Sequence, residues 1–357
     1  MPPPKKILVA PLNWGLGHAA RCIPLIGELH RQGASVVIAS DGRALHLLRK
    51  EFPQTPFFYL PSYRITYRFK NMAANIAIKM PRLLLAIAQE NRCIRQIIQT
   101  HGIGGIISDN RLGCFSKKIP SVYLTHQINL LAANPLFQWA ARHIHLFFIK
   151  KYSECWVPDM EAPPNLSGVL SHNHKAGPVQ YIGALSRMEK MQVEKKYDVI
   201  AVLSGPEPQR SHFEEAVIKQ LRTLPYRCLI VQGKTEMEKR HPVGNNIEVV
   251  SNLTGRALNE AILAARLFIG RAGYSSMMDL AKLEQPALLV PTPGQTEQEY
   301  LGRLLMQNGH FYIQPQNQLD LKNGIPAAIE KGGMDGFCFD RKKMERAVAG
   351  FLARCEK

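Results

Sequence analysis

Gly15-Leu16-Gly17-His18-Ala19-Ala20-Arg21 gathers two glycines, a histidine and an arginine into seven consecutive residues. An apolar run at 7–12 precedes this segment and an amphipathic pattern to about residue 32 follows it. A strand, a glycine turn and a helix start aim unpaired backbone N–H groups and the positive end of a helix dipole at one point, which suits an anion. His18 inside that turn adds an imidazole, the side-chain type whose unperturbed pKa lies nearest neutrality, and so a candidate base. The turn is neither a Walker loop nor a dinucleotide fingerprint, because the GxGxxG spacing and the Gly-Lys-Ser/Thr ending are both missing.

The second half carries three more groups of this kind. Ser204-Gly205-Pro206 ends an apolar run and precedes a helical pattern, a phosphate-cradle geometry with an added hydroxyl donor. In Arg271-Ala272-Gly273-Tyr274-Ser275-Ser276, the small residues allow close backbone approach and the two serines can cap a helix and donate to phosphate. Asp279 lies one helical turn beyond Ser275, on the same face, where a carboxylate can accept from ribose hydroxyls. Pro293-Gly294-Gln295-Thr296-Glu297-Gln298-Glu299 then clusters amide and carboxylate side chains suited to sugar hydroxyls.

The elements that must position these residues read as two alternating series. Strands are expected at 7–12, 35–40, 56–60, 105–109, 121–125, 155–158 and 180–183, with helices near 18–32, 42–51, 71–99 and 135–152. A polar stretch, 186–196, reads as a linker. Strands at 198–203, 227–232, 247–250, 267–269, 287–290 and 311–313 follow, with helices near 209–223, 255–265, 275–283 and 296–308. Alternation of this kind implies parallel sheets covered on both faces. The expected architecture is α/β: two doubly wound, Rossmann-like domains, 1–185 and 197–339, facing a central cleft. A last helix within 340–357 is expected to pack back on the first domain. A chain of 357 residues exceeds one ordinary core, and 46% hydrophobic with 20% charged residues fits a soluble protein. No apolar run is long enough to span a bilayer. The start, Met1-Pro2-Pro3-Pro4-Lys5-Lys6, does not read as a signal peptide. Seven scattered cysteines without CxxC spacing point to a reducing, cytoplasmic setting with no zinc site and no disulfide framework.

With these motifs in this order, the chain resembles glycosyltransferases of the GT-B fold. It is most similar in pattern to family 28 and the MurG type of peptidoglycan lipid-intermediate N-acetylglucosaminyltransferase. The resemblance covers most of the chain. Gly15, Gly17 and His18 match the glycine-rich turn ending in histidine. Thr125-His126-Gln127-Ile128-Asn129 resembles the second histidine-containing loop, which brings Gln127 and Asn129 beside Arg21 into the acceptor or phosphate turns. Ser204 and Gly205, the segment from Arg271 through Gly273 to Asp279, and the pair Gln298 and Glu299 resemble the donor site. By that resemblance Ser275 and Ser276 meet the diphosphate, Asp279 the ribose, Gln298 and Glu299 the sugar, Asn252-Leu253 the base, and the nucleotide is uridine. Three departures stand out: the Gly-Gly-Ser turn is reduced to Ser204-Gly205-Pro206, the usual Gln-Gln pair is Gln298-Glu299, and Arg21 is not the transferase norm.

The implied reaction is inverting, metal-independent and cofactor-free transfer from a UDP-sugar, with UDP-N-acetylglucosamine the family's donor, to a hydroxyl acceptor. His18 is the first choice of base, with Asp109 and His126 as competitors. Charge adds a partner. Residues 1–190 hold 23 Lys/Arg against 9 Asp/Glu, whereas the remainder holds 22 against 19. Within 63–98, Arg64, Arg68, Lys70, Lys79, Arg82, Arg92 and Arg95 face one acid, Glu90, and interleave with Met72, Ile76, Met80, Leu83, Leu84 and Ile87. A basic amphipathic helix suits an anionic bilayer and a lipid-linked acceptor, so the protein is expected at the inner face of the cytoplasmic membrane. No nucleic-acid signature is present, since Tyr63, Tyr67 and Phe69 alone make no stacking platform. Two other readings stand beside transfer. One is a nucleotide-sugar hydrolase, in which His18 activates water behind a Gly-x-Gly-His-x-x-Arg run. The other is a non-catalytic nucleotide-sugar-binding protein.

Overall fold

A computed structural model describes residues 4–63, 72–132, 134–174, 176–234 and 239–355, with side chains in its longest helix described from Met80 onward. The chain divides into two compact units. One comprises Met1–Asn13, His18–Leu185 and Phe339–Lys357, the other Trp14–Gly17 and Ser186–Cys338.

The first unit alternates strand and helix except between β4 and β5 and between β6 and β7: β1 (Lys6–Pro11), α1 (Gly17–Arg31), β2 (Ser35–Ser40), α2 (Gly42–Glu51), β3 (Phe57–Tyr59), α3 (Met72–His101), β4 (Gly105–Asp109), β5 (Ser121–Leu124), α4 (Pro135–Ile149), β6 (Glu154–Val157) and β7 (Gln180–Tyr181). All seven strands are parallel, in the order β3-β2-β1-β4-β5-β6-β7. Ile7, Leu8, Val9 and Ala10 of β1 are completely buried, as a central strand covered on both faces requires. The order reverses between β1 and β4, so a crevice opens beyond their carboxyl ends, where Pro11 pairs with Asp109.

The second unit repeats the plan: β8 (Tyr197–Val202), α5 (Gln209–Leu221), β9 (Cys228–Val231), β10 (Arg240–Val243), β11 (Ile247–Val250), α6 (Gly255–Leu263), β12 (Ala265–Gly270), α7 (Tyr274–Leu283), β13 (Ala287–Leu289), α8 (Thr296–Gln307), β14 (Tyr312–Ile313) and α9 (Leu321–Lys331). The order is β10-β11-β9-β8-β12-β13-β14, antiparallel only at β10. Here the reversal lies between β8 and β12. Val199, Ala201, Leu267, Ile269, Leu288 and Val290 from its strands meet Phe213, Val217, Leu221 and Ile325 from α5 and α9 in one core.

The last helix, α10 (Arg341–Arg354), belongs to the first unit. Phe351 packs edge-on against Trp156, and Lys5 donates to the Leu352 carbonyl at 2.6 Å. Gly105 makes room for this packing, because a Cβ there would lie 2.5 Å from Cys355 Sγ and 2.7 Å from the Phe351 ring.

Candidate active site

Gly15, in the short segment Trp14–Gly17 that groups with the second unit, turns the chain out of β1 with φ of +71°, a conformation that glycine adopts without strain. α1 then begins at Gly17 and sets His18, Arg21 and Cys22 on one face, one turn apart. Asp109, at the end of β4, is completely buried against that face. His18 Nδ1 lies 2.8 Å from Asp109 Oδ1. Arg21 donates through Nε to Asp109 Oδ2 at 2.6 Å and through Nη2 to Oδ1, while Cys22 Sγ lies 3.6 Å from Oδ2. Arg21 Nη1 reaches His126 Nδ1, just beyond β5, at 2.7 Å. Burial alone would raise the Asp109 carboxyl, but Arg21 and His18 override it and hold the group well below the usual carboxylate range. Asp109 is therefore an anion and only accepts, so the His18 proton sits on Nδ1 and the lone pair on Nε2. Arg21 Nη2 also approaches His18 Nδ1, to 3.0 Å, because two donors converge on one oxygen.

The structure thus brings His18, Asp109 and His126 together. Arg21, which the sequence groups with the glycine turn, sends its guanidinium inward to them and is 1% exposed. Gln127 is half-buried and its N–H donates to Thr125 Oγ1 at 3.1 Å. Asn129 spends its amide N–H on the Val169 and His172 carbonyls, at 2.6 and 3.0 Å.

A second buried ionic group lies at the same end of the sheet. Arg111, fully buried two residues after Asp109, donates to Glu90 Oε1 at 2.6 Å, to Asp41 Oδ1, and to the Pro11 carbonyl at 2.9 Å. Tyr63 Oη and the Gly113 N–H complete the Glu90 carboxylate, at 2.6 and 2.8 Å. Sequence reasoning missed this group. Glu90, read as the lone counter-charge of a basic face, points into the unit instead. Ile87, Ile94 and Ile97 form the buried stripe of α3 on either side of it, and Arg82, Arg92 and Arg95 stay exposed. Among the named residues of that stretch, Arg64, Tyr67, Arg68, Phe69 and Lys70 lie outside the described residues, as do the side chains of Met72, Ile76 and Lys79. α4 adds an apolar exposed surface, with Leu136, Trp139 and Phe147 each more than half exposed.

The second unit presents turns at the ends of its strands. Ser204 and Gly205 leave β8, with Gly205 at φ +105°, and Gly273, Ser275 and Ser276 open α7 after β12. All five are half-buried. Arg271 turns inward over Phe213, 4.2 Å from its ring centre, and donates to the Gln209, Val290 and Pro291 carbonyls. It ties together the segments that follow three strands. Burial without a carboxylate partner pulls it down to about 10. Asp279 accepts from Ser186 Oγ at 2.7 Å; burial raises its carboxyl, and Arg187 and Ser186 oppose that rise. Gln298 accepts from the Thr292 N–H at 2.9 Å and Glu299 from the Gly294 N–H at 3.2 Å, so both brace the turn after β13. Thr292, also missed in the sequence, buries a hydroxyl with no protein partner; a Cβ on Gly205 would lie 3.9 Å from it.

Comparison with known proteins fits this division. Residues 199–346 match the glycosyltransferase family 28 C-terminal domain. An uncharacterised glycosyltransferase of Methanopyrus kandleri is 21% identical over 321 residues, spanning 85% of this chain and 90% of that protein. A Bacillus cereus UDP-N-acetylglucosamine–N-acetylmuramyl-(pentapeptide) pyrophosphoryl-undecaprenol N-acetylglucosamine transferase is 26% identical over 171 residues, spanning 45% of this chain and 47% of that protein. Among solved structures, the kitacinnamycin glycosyltransferase superposes with a TM-score of 0.63 at 15% identity, covering 100% of both chains. MurG of Acinetobacter baumannii does so with 0.52 at 12% identity, covering 99% of this chain and 96% of that one. A Streptomyces sp. SF2575 glycosyltransferase complexed with thymidine diphosphate gives 0.59 at 14% identity, covering 98% and 96%. The architecture is that of GT-B glycosyltransferases. Residues 199–346 thus carry a glycosyltransferase family 28 C-terminal domain.

Proposed function

We propose that this enzyme moves a sugar from a nucleoside diphosphate donor, a UDP-sugar, to a hydroxyl acceptor with inversion at the anomeric carbon. The observation that carries the reading is the His18–Asp109 contact at 2.8 Å, between a partly exposed imidazole and a fully buried carboxylate at the carboxyl end of the first sheet. His18 Nε2 takes the acceptor's hydroxyl proton as that oxygen bonds to the anomeric carbon. The bond from that carbon to the diphosphate oxygen breaks in the same displacement, which inverts the centre. The leaving diphosphate is stabilised by backbone N–H groups of Ser204 and Gly205 and of 273–276, and by the dipole of α7. Ser204, Ser275 and Ser276 add hydroxyl donors. Asp279 accepts from the ribose, and Gln298 and Glu299 meet the sugar. The scheme uses no metal ion. A pyrimidine nucleotide is supported by the UDP-N-acetylglucosamine named for one relative and the thymidine diphosphate in one structural neighbour.

In this reading the acceptor is lipid-linked or membrane-associated. The exposed arginines of α3, whose one acid is turned inward, and the exposed Leu136, Trp139 and Phe147 of α4 support an interfacial site on anionic lipid at the cytoplasmic face. No helix among the described residues is long and apolar enough to cross a membrane. Arg21 favours a second reading, nucleotide-sugar hydrolysis with water in place of the acceptor. UDP release from a panel of UDP-sugars, with and without extracted membrane lipid, separates the two. Release that requires lipid is expected. Equal release without lipid would replace transfer by hydrolysis, and no release with any donor would remove the catalytic reading.

A further inference from the structure

We infer that Arg21 is a positioning residue that, with Asp109, gives the two site histidines opposite tautomers: Arg21 fixes His126 as an Nε2–H donor, and Asp109, the nearer partner of His18 Nδ1, reserves His18 Nε2 as the proton acceptor. The inference deepens the proposed reaction and rests on it only for the word acceptor; the tautomers follow from geometry.

A guanidinium has donors only. Arg21 Nη1 lies 2.7 Å from His126 Nδ1, so that nitrogen holds a lone pair and the His126 proton sits on Nε2. Asp109 reverses the assignment at His18, whose Nδ1–H donates to Oδ1 at 2.8 Å. One Asp–Arg pair thus makes two chemically identical rings unlike. Protonating His126 would set an N–H against Arg21 Nη1, so the cluster has room for one added proton, on His18 Nε2.

Arg21 also sets how readily that proton is taken. The charged or titratable groups around His18 are Asp109 from β4, Arg21 and Cys22 from α1, His126 beyond β5 and Tyr123 from β5. Burial pushes the Cys22 thiol and the Tyr123 phenol up, so both stay neutral. What remains is one anion balanced by one cation. His18 therefore faces a carboxylate that it shares with the Arg21 guanidinium rather than a bare one.

The experiment has an arm that needs no substrate and no variant. Imidazole 15N shifts of the intact wild-type protein are expected to show Nδ1–H for His18 and Nε2–H for His126. The same tautomer on both rings would overturn the inference. Arg21→Gln keeps donors but removes the charge. The His18 titration by NMR, and the acidic limb of kcat/KM, should both move up by about one pH unit, since a positive charge within a few ångströms has been removed. UDP affinity should stay within about twofold. Arg21→Lys keeps the charge and loses the fork, so kcat falls while the limb stays in place. A fall in activity with an unmoved His18 titration in Arg21→Gln would reduce Arg21 to a packing role and overturn the inference. The expected shifts and titrations without turnover on any donor would leave the inference standing and remove the transfer reading instead.

Discussion

Both units build a seven-stranded sheet whose order reverses once, between β1 and β4 in the first and between β8 and β12 in the second, yet their carboxyl-end loops solve different electrostatic problems. The first buries ions in matched sets: Arg21 with Asp109, and Arg111 with Glu90 and Asp41. The second pairs one buried arginine, Arg210, with Glu207 and Glu214, but holds another, Arg271, against main-chain carbonyls and the Phe213 ring with no carboxylate among the described residues. Proton transfer needs a base whose partner is fixed and ionised, which a buried ion pair supplies. Binding a diphosphate needs N–H groups, hydroxyls and an unspent positive field, which a nearby carboxylate would cancel. The same scaffold carries both because the chemistry lives in the loops.

That contrast can be broken in three places. His18→Ala should have the largest effect, lowering turnover by about 10²–10⁴-fold, the range expected for general-base removal. Calorimetry with UDP should find affinity nearly unchanged; a comparable loss of UDP binding would end the division of labour. Arg111→Met leaves Glu90 and Asp41 buried without their cation. Urea unfolding should register a loss of about 3–5 kcal/mol. The same change at Arg271 strands no carboxylate and should cost about 1–3 kcal/mol, so equal costs would contradict the contrast between the units. Asp279→Ala should weaken UDP binding roughly 10-fold, as for the loss of a hydrogen bond to a charged group, with the His18 titration unmoved. Unchanged UDP affinity would remove Asp279 from the donor site.

Alternation and periodicity made most of the fold legible in the sequence, since buried parallel strands and one-sided helices write themselves as apolar runs and stripes. α9 was not read because Asn323, Gly324 and Pro326 sit within it; packing of Leu321, Ile325 and Ala328 on the sheet overrides their poor propensity. β10 was not read because Arg240-His241-Pro242 is exposed, paired on one edge only. At the site, His18 and Asp109 stood out because each ends a strand or opens a helix. The pairing of Arg111 with Glu90 and Asp41, 21 and 70 residues away, left no local trace. Charges in a linear text read as solvent-facing, and only tertiary structure reveals an inward Glu90. Thr292 escaped for the same reason, as one hydroxyl among many.

The return of α10 to the first unit bears on the order of assembly during synthesis. Apart from Trp14–Gly17, the second unit is a continuous insertion, Ser186–Cys338, so every strand of its sheet is available once Cys338 has left the ribosome. The first unit begins the chain but lacks Phe351 and Cys355, whose side chains fill the space over Gly105, until later residues emerge. The half translated first is therefore the half completed last. Until then its β4 face stays uncovered, and a nascent chain stalled between residues 338 and 351 would carry a finished second unit beside an unfinished first one.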